Sequence, residues 1–206
     1  MRGVRVDTIL LILLGALVVG GALVFTSAAL GLLARGATQI SSVVFNHFVL
    51  GIGAGIILLL ASATFDYRKW RPLAPYLYAL ALAVTALVFI PGLGFEHGGG
   101  RRWIDVRFVT LQPSEFLKLG AIVAAAAYFS LLREQTASWK GPTAFLGILA
   151  IPGTLLLAQP DLGTLGIISF AVFAIFIAAG ARLRDIALIG IVAVMALGLQ
   201  IGRAHV

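Results

Sequence analysis

The sequence predicts an all-α protein, a polytopic bundle of transmembrane helices, from its composition and from the lengths of its apolar stretches. The 206 residues are 61% hydrophobic and 11% charged, whereas a soluble domain carries about 25% charged residues. Seven apolar stretches are each near or above the roughly 17 residues that a helix needs to cross the hydrocarbon core. No stretch alternates like the strands of a membrane barrel, so we expect the spans to be helices.

The ends of the predicted spans follow from the residues that interrupt the apolar runs. Pro91 and the glycines after it end the third span, and Pro113 lies near the first turn of the fourth, where proline is favoured. Pro160 separates the fifth span from the sixth. The predicted spans are Thr8–Ala28, Val43–Thr64, Leu73–Ile90, Ser114–Leu132, Pro142–Ala158, Leu162–Ala179 and Ile186–Ile201.

The basic residues predict an orientation rather than a nucleic-acid partner, although the net charge is +7. They lie in short loops between spans, and cytoplasmic loops of membrane proteins carry the excess of Lys and Arg. With a cytoplasmic N-terminus, nine basic residues lie inside and four outside. The inside set is Arg2, Arg5, Arg68, Lys69, Arg71, Arg133, Lys140, Arg182 and Arg184, and the outside set is Arg35, Arg101, Arg102 and Arg107.

The external loop after the third span contains "GGGRRWID" (98–105). Its glycines make the backbone permissive. Paired guanidinium groups beside bare glycine N–H groups suit a phosphate or pyrophosphate, which arginine binds bidentately. Arg101 and Arg102 are therefore candidate substrate-binding residues. The alternative is that both arginines, with Trp103 at the interface, anchor the loop to lipid headgroups.

Glu115 and Lys118 are charged residues inside the next apolar run. Gln112 or Ser114 is available to cap this helix. The i,i+3 spacing puts Glu115 and Lys118 on one face, so we expect them to pair. A charge at membrane depth costs on the order of 3 kcal/mol and normally faces protein or a water-filled cavity. A structural ion pair and a cavity-lining pair are both compatible with the sequence.

The stretch "AQPDLGT" (158–164) joins the fifth and sixth spans with almost no loop. Asp161 is placed to cap the helix that follows Pro160. The alternative is that Asp161, beside Gln159, faces the same external cavity as the other two clusters. All three clusters fall on the external side of the predicted topology, which predicts a site there.

The combination of "GGGRRWID", "LQPSEFLKL" and "QPDLGT" resembles the SEDS family, the polytopic membrane proteins of bacterial elongation and division. The loop "DYRKWRPLAPYLY" (66–78) and the order of the spans resemble the family as well, so the resemblance covers the chain from the first span onward. The stretch "FIPGLGFEHGGGRRWI" (89–104) is closer to the FtsW branch, whereas Asp105 is nearer to the RodA branch. We favour an FtsW-like protein.

The resemblance implies a peptidoglycan glycosyltransferase that polymerises lipid II into glycan strands in the bacterial inner membrane. It implies two kinds of partner, a class B penicillin-binding protein that crosslinks the product and other membrane proteins of division or elongation. The substrate-binding residues that we expect are Arg101, Arg102, Glu115, Lys118 and Asp161. Structural roles are expected for Trp103, Gln112, Pro113, Gln159 and Pro160.

No cofactor is predicted from the sequence. Cysteine is absent, which excludes disulfide bonds and thiolate metal sites. Neither a P-loop nor an HExxH pattern occurs, so no residue is assigned to a metal. A divalent metal stays open.

The family has about ten spans, and the seven here are expected to form one transmembrane domain over residues 1–200. The resemblance places the family's catalytic aspartate in the large external loop after the seventh span. No catalytic residue is therefore assigned, and we expect this chain alone to be inactive. The last residues, "IGRAHV" (201–206), read like a translated sequencing adaptor and are expected to be a non-native tail.

Two other functions stay open on the sequence. A flippase or transporter would use the same charges to move a lipid-linked headgroup across the membrane, but the cytoplasmic halves of the spans are almost entirely apolar. A scaffold that only docks partner helices would need little more than small residues such as Gly51 and Gly55. That function leaves the external arginines unexplained.

Overall fold

A computed structural model describes residues 7–34, 44–97, 100–105, 110–132 and 134–204. This part of the chain contains seven α-helices: α1 (Thr8–Ala34), α2 (Ala54–Thr64), α3 (Trp70–Ala86), α4 (Pro113–Leu131), α5 (Lys140–Ala158), α6 (Leu162–Ala178) and α7 (Leu183–Ala204). A π-helical segment, Asn46–Gly53, leads into α2, and short 3₁₀ turns, Tyr67–Lys69 and Leu87–Phe89, flank α3. Three strands lie between α3 and α4: β1 (Gly94–His97), β2 (Gly100–Asp105) and β3 (Thr110–Leu111).

The predicted fold class, a polytopic helical bundle, is confirmed, and a helix lies at each of the seven predicted spans. The apolar α6 has 17 residues, which is the lower limit for crossing a membrane. Within the described ranges, five segments are longer and apolar enough to cross: Thr8–Gly31, His47–Thr64, Tyr67–Phe89, Pro113–Leu131 and Lys140–Ala158. The chain is therefore a multi-pass membrane protein.

Several helices extend beyond their predicted spans, and α1 and α3 are examples. Helix α1 continues to Ala34, and α3 begins at Trp70 rather than at Leu73. Pro72 lies in the first turn of α3, where the N–H that proline lacks is not needed for the helix.

The chain divides into two compact units, residues 1–66 and 67–206. In the first unit, His47 stacks on Phe25 with the ring centroids 3.7 Å apart. Phe48 meets Phe25 edge-on. His47 thus packs against aromatic rings. A single domain over residues 1–200 stays a prediction.

Helix α4 lies at the centre of the second unit and packs against α3, α5 and α6. Its buried residues Leu117, Ala121, Ala125 and Phe129 recur every three or four positions, which is the spacing of one helix face. They share a cluster with buried side chains of α6, and the rings of Phe129 and Phe176 lie 5.4 Å apart. The small side chains on this face allow neighbouring helices to approach closely.

Helix α3 comes very close to α4 at Gly120. A Cβ added at Gly120 would lie 3.1 Å from the Cβ of Ala81 and 3.4 Å from the carbonyl oxygen of Leu77. The hydroxyl of Tyr78 donates to the carbonyl of Ile148 on α5. Helix α3 is thus tied to both α4 and α5.

The three strands form an antiparallel sheet in the order β1-β2-β3, which the sequence analysis did not predict. It lies at the end of the second unit where α3 and α5 end and α4 and α6 begin, called here the sheet end. From the sequence this segment is an external loop between two apolar spans, and its strands have only two to six residues. Such short strands are stable only when they pack against a larger body, and that packing is not visible in a local pattern.

Some of the sequence predictions concern residues outside the described ranges. Arg2, Arg5, Arg35, Arg107 and Arg133 lie outside the described residues, as does the end of the tail, 205–206. The rest of the tail continues α7 to Ala204. A non-native tail therefore stays a prediction.

Candidate functional site

The turn between α5 and α6 places Asp161 at the N-cap of α6. Its side chain accepts a hydrogen bond from the backbone N–H of Thr164, with 3.2 Å between Oδ1 and N. This bond satisfies one of the N–H groups that have no partner within the helix. The predicted capping role of Asp161 is confirmed.

The same carboxylate contacts two other elements at the sheet end. Its Oδ2 accepts hydrogen bonds from Nε2 of Gln112, at 3.2 Å, and from Oγ of Ser114, at 3.3 Å. Its Oδ1 lies 3.8 Å from Nη1 of Arg102, and the Asp161 side chain is only 5% exposed. A buried carboxylate requires such donors, because it has lost its water. Asp161 therefore caps α6 and contacts Arg102 of β2 at the same time.

Helix α4 begins differently from the prediction. Gln112 occupies the N-cap position and Pro113 is buried at the first helical position, but no side chain caps the helix. The side chains of Gln112 and Ser114, which were expected to cap α4, donate to Asp161 instead. The expected cap is wrong because a capping side chain must accept from a backbone N–H, and both side chains are turned toward the buried carboxylate, to which they donate.

Gln159 ties the same turn to α3. Its side chain is buried, and Nε2 donates to the backbone carbonyl of Thr85 at 3.1 Å. The backbone carbonyl oxygen of Gln159 lies against β2, and a Cβ added at Gly100 would be only 2.8 Å from it. Gln159 thus links the turn to α3, while Pro160 is exposed in the turn. The structural roles expected for both residues stay predictions.

Strand β2 carries both candidate arginines, and its register on β1 is irregular between them and Trp103. Trp103 lies opposite Phe95 and Arg101 lies opposite Glu96, so Arg102 is the extra residue of a β-bulge. Such bulges often occur beside functional sites, where they redirect a side chain. Here the redirected side chain is the one that reaches Asp161.

The two arginines have different environments. The Arg102 side chain is 25% exposed and lies beside the buried Asp161. Arg101 is exposed, and its cross-strand neighbour Glu96 is exposed as well. Trp103 is half-buried, so it is not simply displayed to the surroundings as a headgroup anchor would be.

Glu115 and Lys118 form the predicted ion pair, with 2.8 Å between Oε1 and Nζ. The Lys118 side chain is 22% exposed and the Glu115 side chain 57%. Lys118 follows Ser114 by four residues, so both lie on one face of α4. The backbone positions of the two residues are therefore about 6 Å apart along the helix axis.

Three residues of the site were not assigned to it from the sequence, where Ser114 was considered only as a cap for α4. Ser114 contacts Asp161 through its side chain, Thr85 accepts from Gln159 through its carbonyl, and Gly100 allows β2 to approach the turn. Only Ser114 carried a usable signal, since it lies four residues before Lys118 on the same helix face. The other two depend on contacts that are distant in sequence.

The described residues contain no cluster of three or more His, Asp or Glu side chains that could hold a metal ion. The polar groups around Asp161 are the guanidinium of Arg102, the amide of Gln112 and the hydroxyl of Ser114, and Lys118 lies on the same face of α4 as Ser114. Nitrogen donors of this kind bind anionic oxygens. The arrangement suits a ligand with phosphate groups.

Comparison with known proteins identifies the family. Residues 7–203 match the sequence profile of a family described as cell cycle protein, which groups FtsW, RodA and SpoVE. The chain belongs to this family. The resemblance to SEDS proteins found in the sequence is thereby confirmed.

A curated relative and two solved structures illustrate the family match. The relative, from Aromatoleum aromaticum, is named "Probable peptidoglycan glycosyltransferase FtsW"; it is 33% identical over 147 residues, which are 71% of this chain and 35% of that protein. The chain thus spans about a third of that relative's length. Its name agrees with the FtsW branch that the sequence favours.

The two structures have the same family fold. RodA of Thermus thermophilus has a TM-score of 0.60 and 28% identity, and the match covers 86% of this chain and 58% of that one. A chain of a peptidoglycan synthase complex that coordinates polymerization and crosslinking has a TM-score of 0.63 and 27% identity, covering 89% of this chain and 53% of that one.

Proposed function

We propose that this chain provides the substrate-binding end of a peptidoglycan glycosyltransferase that polymerises lipid II. One observation carries the proposal: the buried Asp161 joins the arginine-bearing strand β2 to the first turns of α4 and α6. A fixed arrangement of donors around one point suits an enzyme, because preorganised donors stabilise charge that develops in a transition state. The family membership gives the reaction.

The chemistry explains why cations would be required at the sheet end. Glycan polymerisation breaks the bond between a sugar and a polyprenyl pyrophosphate, so negative charge develops on the departing pyrophosphate. Guanidinium groups and an ammonium group can stabilise that charge. Arg101, Arg102 and Lys118 are the cations of the sheet end, and Asp161 and Glu115 hold Arg102 and Lys118 in place.

The proposal includes a place in the cell. The chain would lie in the bacterial inner membrane with a cytoplasmic N-terminus, so that the sheet end faces outward, where lipid II is polymerised. The excess of basic residues in the predicted inside loops supports this orientation. The FtsW branch adds a role in cell division.

A class B penicillin-binding protein is the proposed partner, together with other membrane proteins of division. This partner is supported by the likeness of the chain to one chain of a peptidoglycan synthase complex that coordinates polymerization and crosslinking. A polymerase that works beside a crosslinking enzyme can hand over its product directly.

The distribution of buried polar residues favours an enzyme over a flippase. Thr85, Ser114, Gln159, Asp161 and Thr164 are buried at the sheet end, whereas Thr136 lies at the opposite end of the second unit. A transporter needs polar groups along the path of a polar headgroup. The described residues concentrate them at one end, as an enzyme acting on one membrane face requires.

A chimera tests the proposal. Residues 7–203 of this chain would replace the matching segment of the Aromatoleum aromaticum relative, and the purified chimera would receive labelled lipid II and a class B penicillin-binding protein. We expect glycan polymer from the chimera and none from the relative with its matching segment deleted. A chimera that inserts in membranes and yields no polymer, beside an active unmodified relative, would refute the proposed function.

A further inference from the structure

The two neighbouring arginines of β2 leave the strand in different directions. Successive residues of a regular strand point to opposite faces, and the bulge at Arg102 lies directly after Arg101. Arg101 keeps its cross-strand position opposite Glu96. The guanidinium of Arg102 instead lies over Gly100, where an added Cβ would come within 2.7 Å of its Nε.

Arg102 is directed into the protein. Its Nη1 lies 3.8 Å from Asp161, a carboxylate that also accepts from Gln112, Ser114 and the N-terminus of α6. An arginine beside a buried, hydrogen-bonded carboxylate is held in one orientation, because losing either partner leaves a buried charge. The pair therefore joins β2 to the helices.

Arg101 is directed away from this network. It is exposed, and its side chain forms no hydrogen bond or ion pair with any other residue in the described part of the chain. The nearest charge across the sheet is the exposed Glu96. Its planar fork thus keeps both edges available to a phosphate group.

We propose that the two arginines have separate roles: Arg101 contacts the substrate's pyrophosphate, and Arg102 is a positioning residue that, with Asp161, holds β2 on the bundle. The inference rests on the proposed function, since that function supplies a pyrophosphate ligand. It departs from a paired clamp, in which both guanidinium groups would bind the same phosphate.

The substitutions that separate the roles are conservative. Arg101→Lys and Arg102→Lys keep the charge but remove the bidentate fork. Asp161→Asn keeps a good N-cap for α6 and removes the negative charge that faces Arg102. Arg184→Lys is the matched control, because Arg184 is 81% exposed at the start of α7 and forms its own ion pair with Asp185.

The experiment uses the 206-residue chain in phosphatidylcholine nanodiscs. Farnesyl pyrophosphate, a short polyprenyl pyrophosphate, is titrated by calorimetry, and hydrogen exchange of the backbone amides of 100–105 is followed in parallel. We expect Arg101→Lys to weaken binding about tenfold, the loss of one charge-assisted hydrogen bond, with exchange unchanged. Arg102→Lys and Asp161→Asn should each accelerate exchange, and the double variant should add little to either single change. Arg184→Lys should change nothing.

Four results would overturn the inference. They are absence of binding by the unmodified chain, unchanged affinity in Arg101→Lys, weaker binding in Arg102→Lys without faster exchange, and unchanged exchange in Asp161→Asn. The measurements concern binding and local stability rather than polymerisation. An inactive chimera would therefore refute the proposed function separately, and equal effects of the two arginines would refute only their division of roles.

Discussion

Gly100 lies where β2 passes the turn between α5 and α6, and a side chain there would have to displace its surroundings. A Cβ would be 2.7 Å from Nε of Arg102 and 2.8 Å from the carbonyl oxygen of Gln159. The carbonyl belongs to the backbone and cannot turn away as a side chain can. We expect Gly100→Ala to destabilise the protein by about 1–3 kcal/mol, measured by thermal unfolding in detergent, and to accelerate hydrogen exchange at 100–105.

Gly163 provides the matched control for this substitution. It lies in the first turn of α6, and a Cβ there would meet no described atom within 4 Å. Gly163→Ala should leave exchange at 100–105 unchanged and stabilise α6 by up to about 1 kcal/mol, because alanine is the better helix former. Equal exchange in the Gly100 and Gly163 variants would contradict the close approach of β2 to the turn.

Lys118 is expected to matter more for function than for stability. Glu115 lies in the first turn of α4, at the end of the span, and its side chain is 57% exposed, so we expect water to reach it when its partner is removed. The pair then belongs with exposed ion pairs, which contribute about 1 kcal/mol or less. We expect Lys118→Ala to lower the melting temperature of the chain by no more than about 4 °C and to reduce polymer formation by the chimera at least tenfold.

Lys140→Ala is the control for charge removal, since Lys140 is exposed at the opposite end and its side chain bonds the nearby, exposed Gln135. It should affect neither the melting temperature nor polymer formation. A loss of more than about 3 kcal/mol in Lys118→Ala would indicate a buried pair. That result would contradict the exposure of Glu115.

At the residue scale, the sequence predicted the contacts that are local and missed those that are distant. The pairing of Glu115 with Lys118 and the capping by Asp161 depend on spacings of three residues, which helix geometry determines. The bonds from Gln112 and Ser114 to Asp161 join residues 49 and 47 positions apart. No local spacing predicts them, because they depend on how the helices pack.

At the scale of elements, the packing of α3 on α4 depends on Gly120. A valine there would bring branched methyl groups against the Leu77 carbonyl and Ala81, which are already 3.4 and 3.1 Å from the position of a Cβ. We expect Gly120→Val to lower the free energy of unfolding by about 1–3 kcal/mol, because the helices must separate. Chemical denaturation in mixed micelles measures the loss.

Gly147 on α5 is the control for this helix pair, since a Cβ there would meet no described atom within 4 Å. Gly147→Val should be neutral or slightly stabilising, as valine forms helices better than glycine. If the two valine variants had equal stability, the α3–α4 contact would not depend on a small residue.

The elements themselves were predictable to different degrees. The seven helices follow from apolar runs and from prolines at their ends, since backbone groups in lipid must be satisfied within one segment. The three-stranded sheet does not follow from such a signal. Strands of two to six residues bury little surface of their own, and this sheet depends on its contact with the turn between α5 and α6.

At the scale of the whole molecule, the described second unit separates an apolar bundle from a polar sheet end. Its largest buried side chains include Phe129, Phe176, Leu117, Leu156 and Ile168. At the sheet end, in contrast, Asp161 is the shared acceptor for three elements. The bundle thus provides a rigid base, and the sheet end provides donors whose positions are fixed by buried hydrogen bonds. Binding can be built on such an arrangement without a base for catalysis.

The last prediction is that this 206-residue chain binds but does not polymerise. A general base must lie within about 3 Å of the sugar hydroxyl and have a lone pair available. Both oxygens of Asp161 are occupied, Glu115 is paired with Lys118, and Glu96 lies on an edge strand opposite Arg101. The side chain of Asp105 lies outside those that the structure describes.

The test supplies labelled lipid II to the purified chain together with a class B penicillin-binding protein, beside an active FtsW relative as the positive control. We expect polymer only from the relative. Polymer above background from the chain would contradict the prediction, and replacing Glu96, Asp105, Glu115 and Asp161 in turn by the corresponding amide would then identify the base. If polymer formation were lost in Asp161→Asn alone, hydrogen exchange at 100–105 would distinguish two causes. Unchanged exchange would indicate a lost base, whereas faster exchange would indicate that β2 had come away from the helices.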